Sequence, residues 1–221
     1  MNSLRWLLCF SWSALLILPQ AVADETQEAL EFELPKAYYG GTVASYWSPH
    51  LDTRIYVDRK PLLAPKGTAV VSLNKPVTSS GQPLHGELSW LNDGNKEFGK
   101  STLLELPEGK QWVQIDLENT YAIYAVLLWH FHEGGRVYFD VIGQISDDPE
   151  FKTGVTTIYN NDYDDSLGLG KGTDKEYIEN SDGRLFIPED VSGRYVRFYS
   201  RGNTDHDFNN YVELEVWGKK K

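Results

Sequence analysis

One stretch of the chain gathers imidazole, guanidinium and aromatic side chains within eight residues. It is the run Trp-His-Phe-His-Glu-Gly-Gly-Arg, from Trp129 to Arg136, and it follows an apolar segment typical of a strand. His130 and His132 share one face of a strand and suit a transition metal, but no third and fourth ligands stand at a suitable spacing. Two interpretations stay open. In the first, Trp129, His130, His132 and Arg136 form the rim of a sugar site, with an aromatic ring stacked on a pyranose. In the second, these residues pack inside a β-sandwich.

A second polar stretch runs from Arg201 to Asn210. It is too polar for a core and too rich in turn formers for a helix, which predicts a loop that projects between two strands. Its donors and acceptors suit a neutral, polyhydroxylated ligand better than a phosphate. The candidate ligand-binding residues of this loop are Arg201, Asn203, His206 and Asn209.

Two oxygen-rich stretches are candidates for calcium. The Asn-Asp-Gly turn within Leu91 to Glu97 suits any tight turn, or a cation site built from carboxylates and carbonyls. The segment 160–176 is rich in Asp, but Leu167 and Thr173 stand where an EF-hand requires Gly and Glu. That segment is either a solvated insertion or a calcium loop of another geometry.

Motifs of catalysis are missing from the sequence. It contains no Gly-x-Ser-x-Gly, no His-Glu-x-x-His and a single cysteine, Cys9. The paired carboxylates of a glycosidase are recognised by their separation in space, and nothing singles out a pair among the 32 acidic residues. We therefore predict that the chain is not an enzyme, with a hydrolase as the least favoured alternative.

The N-terminus predicts export. Arg5 precedes an apolar run from Trp6 to Leu18, and Ala21-Val22-Ala23 supplies a small-x-small cleavage pattern. Residues 1–23 are thus expected to be a secretory signal peptide, which makes the protein secreted or periplasmic, without membrane insertion after cleavage. An uncleaved anchor is the alternative, although the run is short for a span of about 20 residues.

The net charge of the mature chain limits the classes of partner that we expect. Cleavage before Asp24 would remove one of 21 basic residues and none of the 32 acidic ones, leaving a net charge near −12. Nucleic acids and anionic membranes favour clustered Lys and Arg, so neither is an expected partner. Cleavage also removes the only cysteine, and the fold must then rest on its core without a disulfide.

From Thr68 onward, short strand patterns recur between turn formers. The predicted strands are 69–73, 86–91, 111–117, 121–131, 136–145, 155–159, 184–187, 193–200 and 211–217. Because no amphipathic helix interrupts them, the expected fold is all-β, an antiparallel β-sandwich.

Four motifs resemble the discoidin, or coagulation-factor type C, domain of the galactose-binding-like superfamily. In the order of that family they are an opening strand at 71–80, a turn at 91–94, Trp-Val-Gln-Ile-Asp-Leu at 112–117, and Arg-Tyr-Val-Arg at 194–197 with its closing strand. The resemblance covers residues 68–218. It implies a jelly-roll strand order, with the ligand face formed by loops at one end of the sandwich.

The resemblance also implies a structural calcium ion. Asp93 and Glu213 would be its side-chain ligands, with Asn95 and Ser101 as weaker candidates. The sequence Gly-Lys-Ser-Thr at 99–102 departs from the usual end of this loop in the family, which puts that part of the mapping in doubt. The family's vertebrate members carry cysteines that are missing here, which points to a bacterial exported form.

The chain thus divides into a signal peptide (1–23), an N-terminal aromatic arm (24–67), a discoidin-like sandwich (68–218) and a basic tail (219–221). The expected function is an exported, non-catalytic module that recognises a carbohydrate or glycoconjugate, with calcium as a staple. The alternative is a protein-interaction or adhesion module that docks a protein partner through its loops and the aromatic arm, in which Tyr38 and Trp47 stand.

Overall fold

The computed structural model describes residues 26–37, 45–54 and 59–221; the predicted signal peptide lies outside these ranges, as does Tyr38. The described part contains thirteen strands and one short 3-10 helix, Leu88–Asn92. The strands are β1 (Gln27–Ala29), β2 (Leu51–Asp52), β3 (Leu63–Pro65), β4 (Ala69–Val70), β5 (Val77–Ser79), β6 (Leu104–Leu106), β7 (Gln111–His130), β8 (Ile142–Ser146), β9 (Thr156–Asn160), β10 (Glu176–Tyr177), β11 (Arg184–Phe186), β12 (Val191–Ser200) and β13 (Asn209–Lys220).

Nine of these strands form one antiparallel sheet that folds around the core. Its main path is β4-β13-β7-β12-β8-β9, with β5 and β11 also paired to β7, and β6 paired to β13. The all-β, antiparallel sandwich predicted from the sequence is confirmed.

Strand β7 links the two layers of the sandwich. Its first half pairs with β5 and β12, and its second half pairs with β11 and β13. Between the halves, Glu118 has a φ of +65°, a left-handed conformation that breaks the regular twist of the strand. As a result Ile115 and Leu117, before the bend, share one core cluster with Val126 and Leu128, after it.

The other face of the second half of β7 is covered by the N-terminal arm. Phe32 meets the Trp217 ring edge-on with centroids 5.2 Å apart, and Leu30 packs against Ala125. β1 pairs with β3, which holds this part of the arm in an extended form. Apolar residues on the outward side of β7 are therefore buried by the chain itself.

Two of the predicted strands are wrong in detail. Residues 86–91 form a turn and the 3-10 helix, because Gly86 has a φ of +77° and the chain turns there instead of extending. The predicted strand 136–145 is regular only from Ile142, since the preceding residues belong to a loop. The short strands β5 and β6 were not predicted, because three residues carry too little of a period-two pattern.

Candidate functional site

Two loops lie side by side at one end of the sandwich. Ser200 pairs with Gln111 and Tyr211 pairs with His130, so the end of β12, the start of β13 and both ends of β7 meet there. Backbone hydrogen bonds then join the loop after β7 to the loop after β12, including Thr204 N to Val137 O at 3.0 Å. We call residues 131–141 and 201–208 the loop face.

Arg136 is the centre of the loop face. Its guanidinium pairs with the Asp205 carboxylate at 2.7 Å, donates to Asn210 Oδ1 at 3.2 Å and lies 3.2 Å from His206 Nε2. The same guanidinium lies 4.7 Å from the centre of the Phe131 ring. The structure thus brings Arg136 and His206, 70 residues apart in the chain, into one polar patch beside an aromatic ring.

Asn203 organises the loop rather than facing a ligand. Its Oδ1 accepts hydrogen bonds from the backbone of Asp205 at 2.9 Å and His206 at 3.3 Å, and its amide nitrogen lies 3.2 Å from His206 Nδ1. The side chain is buried. Asn203 therefore fixes the imidazole that stands beside Arg136.

Four other predicted ligand residues lie inside the molecule. Trp129 and His130 are 0% exposed; the Trp129 indole donates to Ser181 O, and His130 Nδ1 lies 2.6 Å from Glu179 Oε1. His132 is buried against the Lys96 carbonyl, and Asn209 bridges the Ser200 hydroxyl and the Pro107 carbonyl. Burial removes all four from the candidate ligand surface. The other interpretation of the stretch, that its residues pack inside the sandwich, therefore holds for Trp129, His130 and His132.

Arg201, on the exposed side of the loop face, stands next to an acidic cluster. Its guanidinium is 3.8 Å from Asp140, whose carboxylate also accepts from the Ser166 hydroxyl at 2.7 Å. Carboxylate oxygens of Asp140, Asp162 and Asp164 all lie within 4.8 Å of one another, an arrangement that could hold a metal ion. Sequence reasoning missed Asp140, because it precedes β8 and no local pattern ties it to the segment 160–176.

The acids of this cluster have different surroundings. Asp162 is fully buried and accepts backbone hydrogen bonds from Ser166 and Leu167, both at 2.9 Å. Burial raises the pKa of Asp140, whereas a hydrogen bond shared with the Asp162 side chain and one donated by the Ser166 backbone lower the pKa of Asp164. The donors around Asp162 come from the loop itself.

The predicted calcium turn lies against β13. The Gly94 N–H points at both oxygens of Glu213, at 3.2 and 3.3 Å, and Asp93 is close enough to raise the pKa of that carboxyl. Glu213 is 1% exposed, and burial, Glu215 and Asp93 together raise its pKa to about 9. The nearby ammonium of Lys96 is bound to Glu215 at 2.7 Å instead.

The two weaker candidates differ in position. Asn95 belongs to the same turn, where its backbone N–H donates to Asp93 Oδ1 at 2.8 Å. Ser101 is exposed and, among the residues described, forms no hydrogen bond with Asp93 or Glu213. The buried Oδ1 of Asn92, which has no hydrogen-bond partner in the described part of the chain, lies in the residue before Asp93.

A second part of the arm lies beside the loop face. Tyr46 packs on Phe139 with ring centroids 5.6 Å apart and donates to Glu176 at 2.8 Å. Burial and this hydrogen bond raise the pKa of Tyr46 to about 12. His50 stacks on Tyr163 at 3.6 Å. The neighbouring Trp47 is 83% exposed.

Comparisons with known proteins find similarity in structure alone. No protein-family model and no curated protein matches the sequence.

Among solved structures, the family 89 glycoside hydrolase of Clostridium perfringens matches 69% of this chain and 15% of its own, at a TM-score of 0.52 and 19% identity. Truncated AlyQ with CBM32 and alginate lyase domains matches 70% of this chain and 34% of its own, at 0.50 and 17%. A Streptococcus pneumoniae fucose binding module matches 69% and 99%, at 0.49 and 17%.

The fold is the galactose-binding-like, discoidin-type sandwich. The fold that the four sequence motifs implied is therefore confirmed, although identities below 20% to these neighbours carry no function with them. This chain spans only a small part of the Clostridium hydrolase and about a third of AlyQ. Among the described residues, no helix is both long enough and apolar enough to cross a membrane.

Proposed function

We propose that this protein is an exported, non-catalytic module that binds a neutral carbohydrate through the loop face. One observation carries the proposal: Arg136, His206 and Asp205 converge next to the Phe131 ring, on loops held by a rigid sheet. Charged and imidazole groups read the hydroxyls of a sugar, while an aromatic edge excludes water from its apolar side. Export follows from the predicted signal peptide.

The balance of charge on the loop face favours a neutral ligand. Arg136 is already paired with Asp205, and Arg201 stands beside Asp140. A phosphate or sulfate would have to displace these carboxylates, whereas hydroxyl groups can donate to Asp205 and accept from Arg136 without breaking the pair. The same fold occurs in the Clostridium hydrolase, which was solved with GlcNAc-alpha-1,4-galactose, and in AlyQ, which contains a CBM32, so sugars are the first ligands to test.

We further propose that calcium binds between the Asn92 to Asn95 turn and β13. Residues present there fit a hard cation. Glu213 is a buried carboxylate without an ion pair among the described residues, and Asp93 is close enough to raise its pKa. Asn92 has a buried oxygen without a partner in the same part of the chain. Asp93 and Glu213 would be the carboxylate ligands. The ion would neutralise Glu213 and join the turn to the closing strand, so its role is to hold structure.

A glycan panel tests the carbohydrate assignment. Residues 24–221 are titrated with neutral oligosaccharides in calcium and in chelator, and binding is followed by thermal unfolding and calorimetry. His206→Ala and Arg201→Ala should weaken binding about tenfold or more, since each removes a hydrogen bond from a charged or imidazole group. Arg194→Ala, whose guanidinium pairs with Asp116 in β7, is the matched control and should bind like the wild type. Equal binding by all variants would contradict the site.

The alternative function is docking of a protein partner through the arm. The exposed indole of Trp47, beside Tyr46 on the edge of the loop face, favours it. In this case no glycan would bind, and Trp47→Ala would abolish capture of the partner while Arg201→Ala would not. Under the carbohydrate hypothesis, Trp47→Ala leaves glycan affinity unchanged.

A further inference from the structure

A cavity of about 270 Å³ lies where the arm meets the sandwich, and neither Arg136 nor Arg201 lines it. The arm contributes Asp52, Arg54 and Arg59 to its wall. The sandwich contributes residues 177–180 and 182–185, which end at the start of β11. Its size is close to the lower end of small-molecule sites.

Two arginines in this wall have unused donors. Arg59 donates through Nη2 to the carbonyls of Asp182 and Gly183, at 2.6 and 2.5 Å, but its Nη1 is buried without a hydrogen-bond partner in the described part of the chain. Arg184 lies over the Tyr177 ring at 4.9 Å, and its Nε is likewise buried without a partner among those residues. A buried donor that stays unpaired is costly.

The ion pairs around the cavity leave two of its arginines without a carboxylate partner in the described part of the chain. Three arginines and three acids line it, but Asp52 binds Arg54 at 2.6 Å and Glu179 lies against His130. Within the described residues, neither Arg59 nor Arg184 forms an ion pair with a carboxylate. Arg59 and Arg184 therefore keep free hydrogen-bond donors, although the wall holds as many acids as arginines and Glu179 Oε2 is buried without a partner among the described residues.

The two guanidinium groups also disfavour each other. Burial lowers the pKa of Arg59 and the charge of Arg184 lowers it further, while Asp182 acts in the opposite direction. A like-charged pair at a partly buried position is stable when an anion is shared between its members. A planar carboxylate matches guanidinium geometry, because it accepts two parallel hydrogen bonds.

We propose that this cavity binds a carboxylate, either that of a uronic acid or that of a small organic acid, between Arg59 and Arg184. The aromatic ring of Tyr177 and the apolar residue Ile178 would line the space beside the carboxylate. This anion pocket is separate from the proposed loop-face site for neutral sugars, so either assignment can fail without the other. A dianion such as sulfate fits less well, because Asp182 and Asp52 lie in the same wall.

The test compares D-galacturonate with D-galactose, which differ only in a carboxylate at C6. Both are titrated at constant ionic strength into residues 24–221 labelled with ¹⁵N, and the Arg Nε–H signals are followed. Galacturonate should shift the Arg184 signal in a saturable manner and galactose should not. Acetate and succinate, titrated alongside, separate a uronate from a small acid as the source of the carboxylate.

Variants complete the test. Arg184→Gln and Arg59→Gln should each weaken carboxylate binding by about tenfold or more, and Arg184→Lys should restore only part of it, because lysine lacks the planar fork. Arg194→Gln is the control for loss of one positive charge. Circular dichroism and the unfolding midpoint verify that each variant is folded. The proposal is overturned if no carboxylate shifts the Arg184 signal, if galactose binds equally well, if sulfate binds more tightly, or if both glutamine variants retain binding.

Discussion

Two groups of acids in this protein look alike in sequence and differ in what surrounds them. In the Asp140, Asp162 and Asp164 cluster, Asp162 is buried, yet both its oxygens accept backbone N–H groups, and Asp140 accepts a hydroxyl. In the turn at β13, the buried Glu213 has one N–H group, from Gly94, shared at 3.2 and 3.3 Å, and a second acid beside it. In the larger cluster each oxygen of the buried acid has its own backbone donor, whereas in the smaller group the two oxygens of Glu213 share one.

The comparison teaches that the number of carboxylates is a poor guide to a cation site. A carboxylate whose oxygens accept backbone donors keeps its charge without an ion, because the hydrogen bonds stabilise the charged form. A buried carboxylate without such donors takes up a proton or a cation. The proposed calcium ion therefore belongs at Asp93 and Glu213, and we propose a structural role for Asp162.

The strongest test of this difference is the pH dependence of stability. Glu213 has a folded pKa of about 9 and an ordinary value near 4.5, so the folded state binds one more proton between these pH values and its stability falls as pH rises through this window. Without calcium, the fall attributable to Glu213 should be roughly 3–6 kcal/mol by pH 9. Urea unfolding at several pH values in chelator measures it.

Glu213→Gln is the matched variant, since its amide cannot ionise. It should be more stable than the wild type at pH 8 in chelator and should lose the slope assigned to Glu213. If wild type and variant show the same slope, the buried carboxyl is not the titrating group, and the contrast between the two acidic groups disappears.

Removal of Asp162 should give the next largest effect. Asp162→Ala leaves the N–H groups of Ser166 and Leu167 without an acceptor inside the loop and should cost roughly 2–4 kcal/mol. Asp164→Ala is the control, because Asp164 is exposed and should cost under about 1 kcal/mol. Chemical unfolding with calcium and with chelator should give the same difference. A loss that appears only in calcium would make Asp162 a metal ligand.

Calcium should stabilise the fold through the turn at Glu213 and not through the larger cluster, by less free energy than the largest effects above. At about one hundred times its Kd, an ion that binds only the folded state adds about 2.7 kcal/mol. Thermal unfolding should show this gain in the wild type and in Asp164→Asn, but not in Asp93→Asn. A gain lost in Asp164→Asn and kept in Asp93→Asn would move the calcium site to the larger cluster.

The fold could be predicted from sequence because its longest strands carry clear patterns. β12 and β13 alternate apolar and polar residues, and the Trp112 to Leu117 motif places half of β7. The bend at Glu118 has no comparable signal, since a left-handed residue that is neither Gly nor Asn gives no composition cue. The three-residue strands β5 and β6 were missed because three residues are too few to show a period-two pattern.

The candidate site was only half predictable. Arg136 and His206 have residue types that suit a surface site, and tertiary structure brings them together. Trp129 and His130 have equally suitable types, but β7 continues to His130 and buries both. Alternation along a strand does not reveal which face the arm will cover, so the sequence could not separate these pairs. Asp140 and the cavity lined by Arg59 and Arg184 were also missed, because each depends on segments that lie far apart in the sequence.

The smallest effect is expected for Arg201→Gln, and it asks whether the larger acidic cluster needs a positive charge. Arg201 is half exposed and stands 3.8 Å from Asp140, so the ion pair should contribute no more than about 0.5 kcal/mol, less in 1 M NaCl. Urea unfolding at low and high salt measures it. Because the donors around Asp162 and Asp140 come from the loop, removal of Arg201 should leave those acids stabilised. A loss of more than about 1.5 kcal/mol in the free energy of unfolding, reversed by salt or calcium, would contradict this expectation. It would mean that the three acids repel one another unless a cation is present, as we propose for the turn at Glu213.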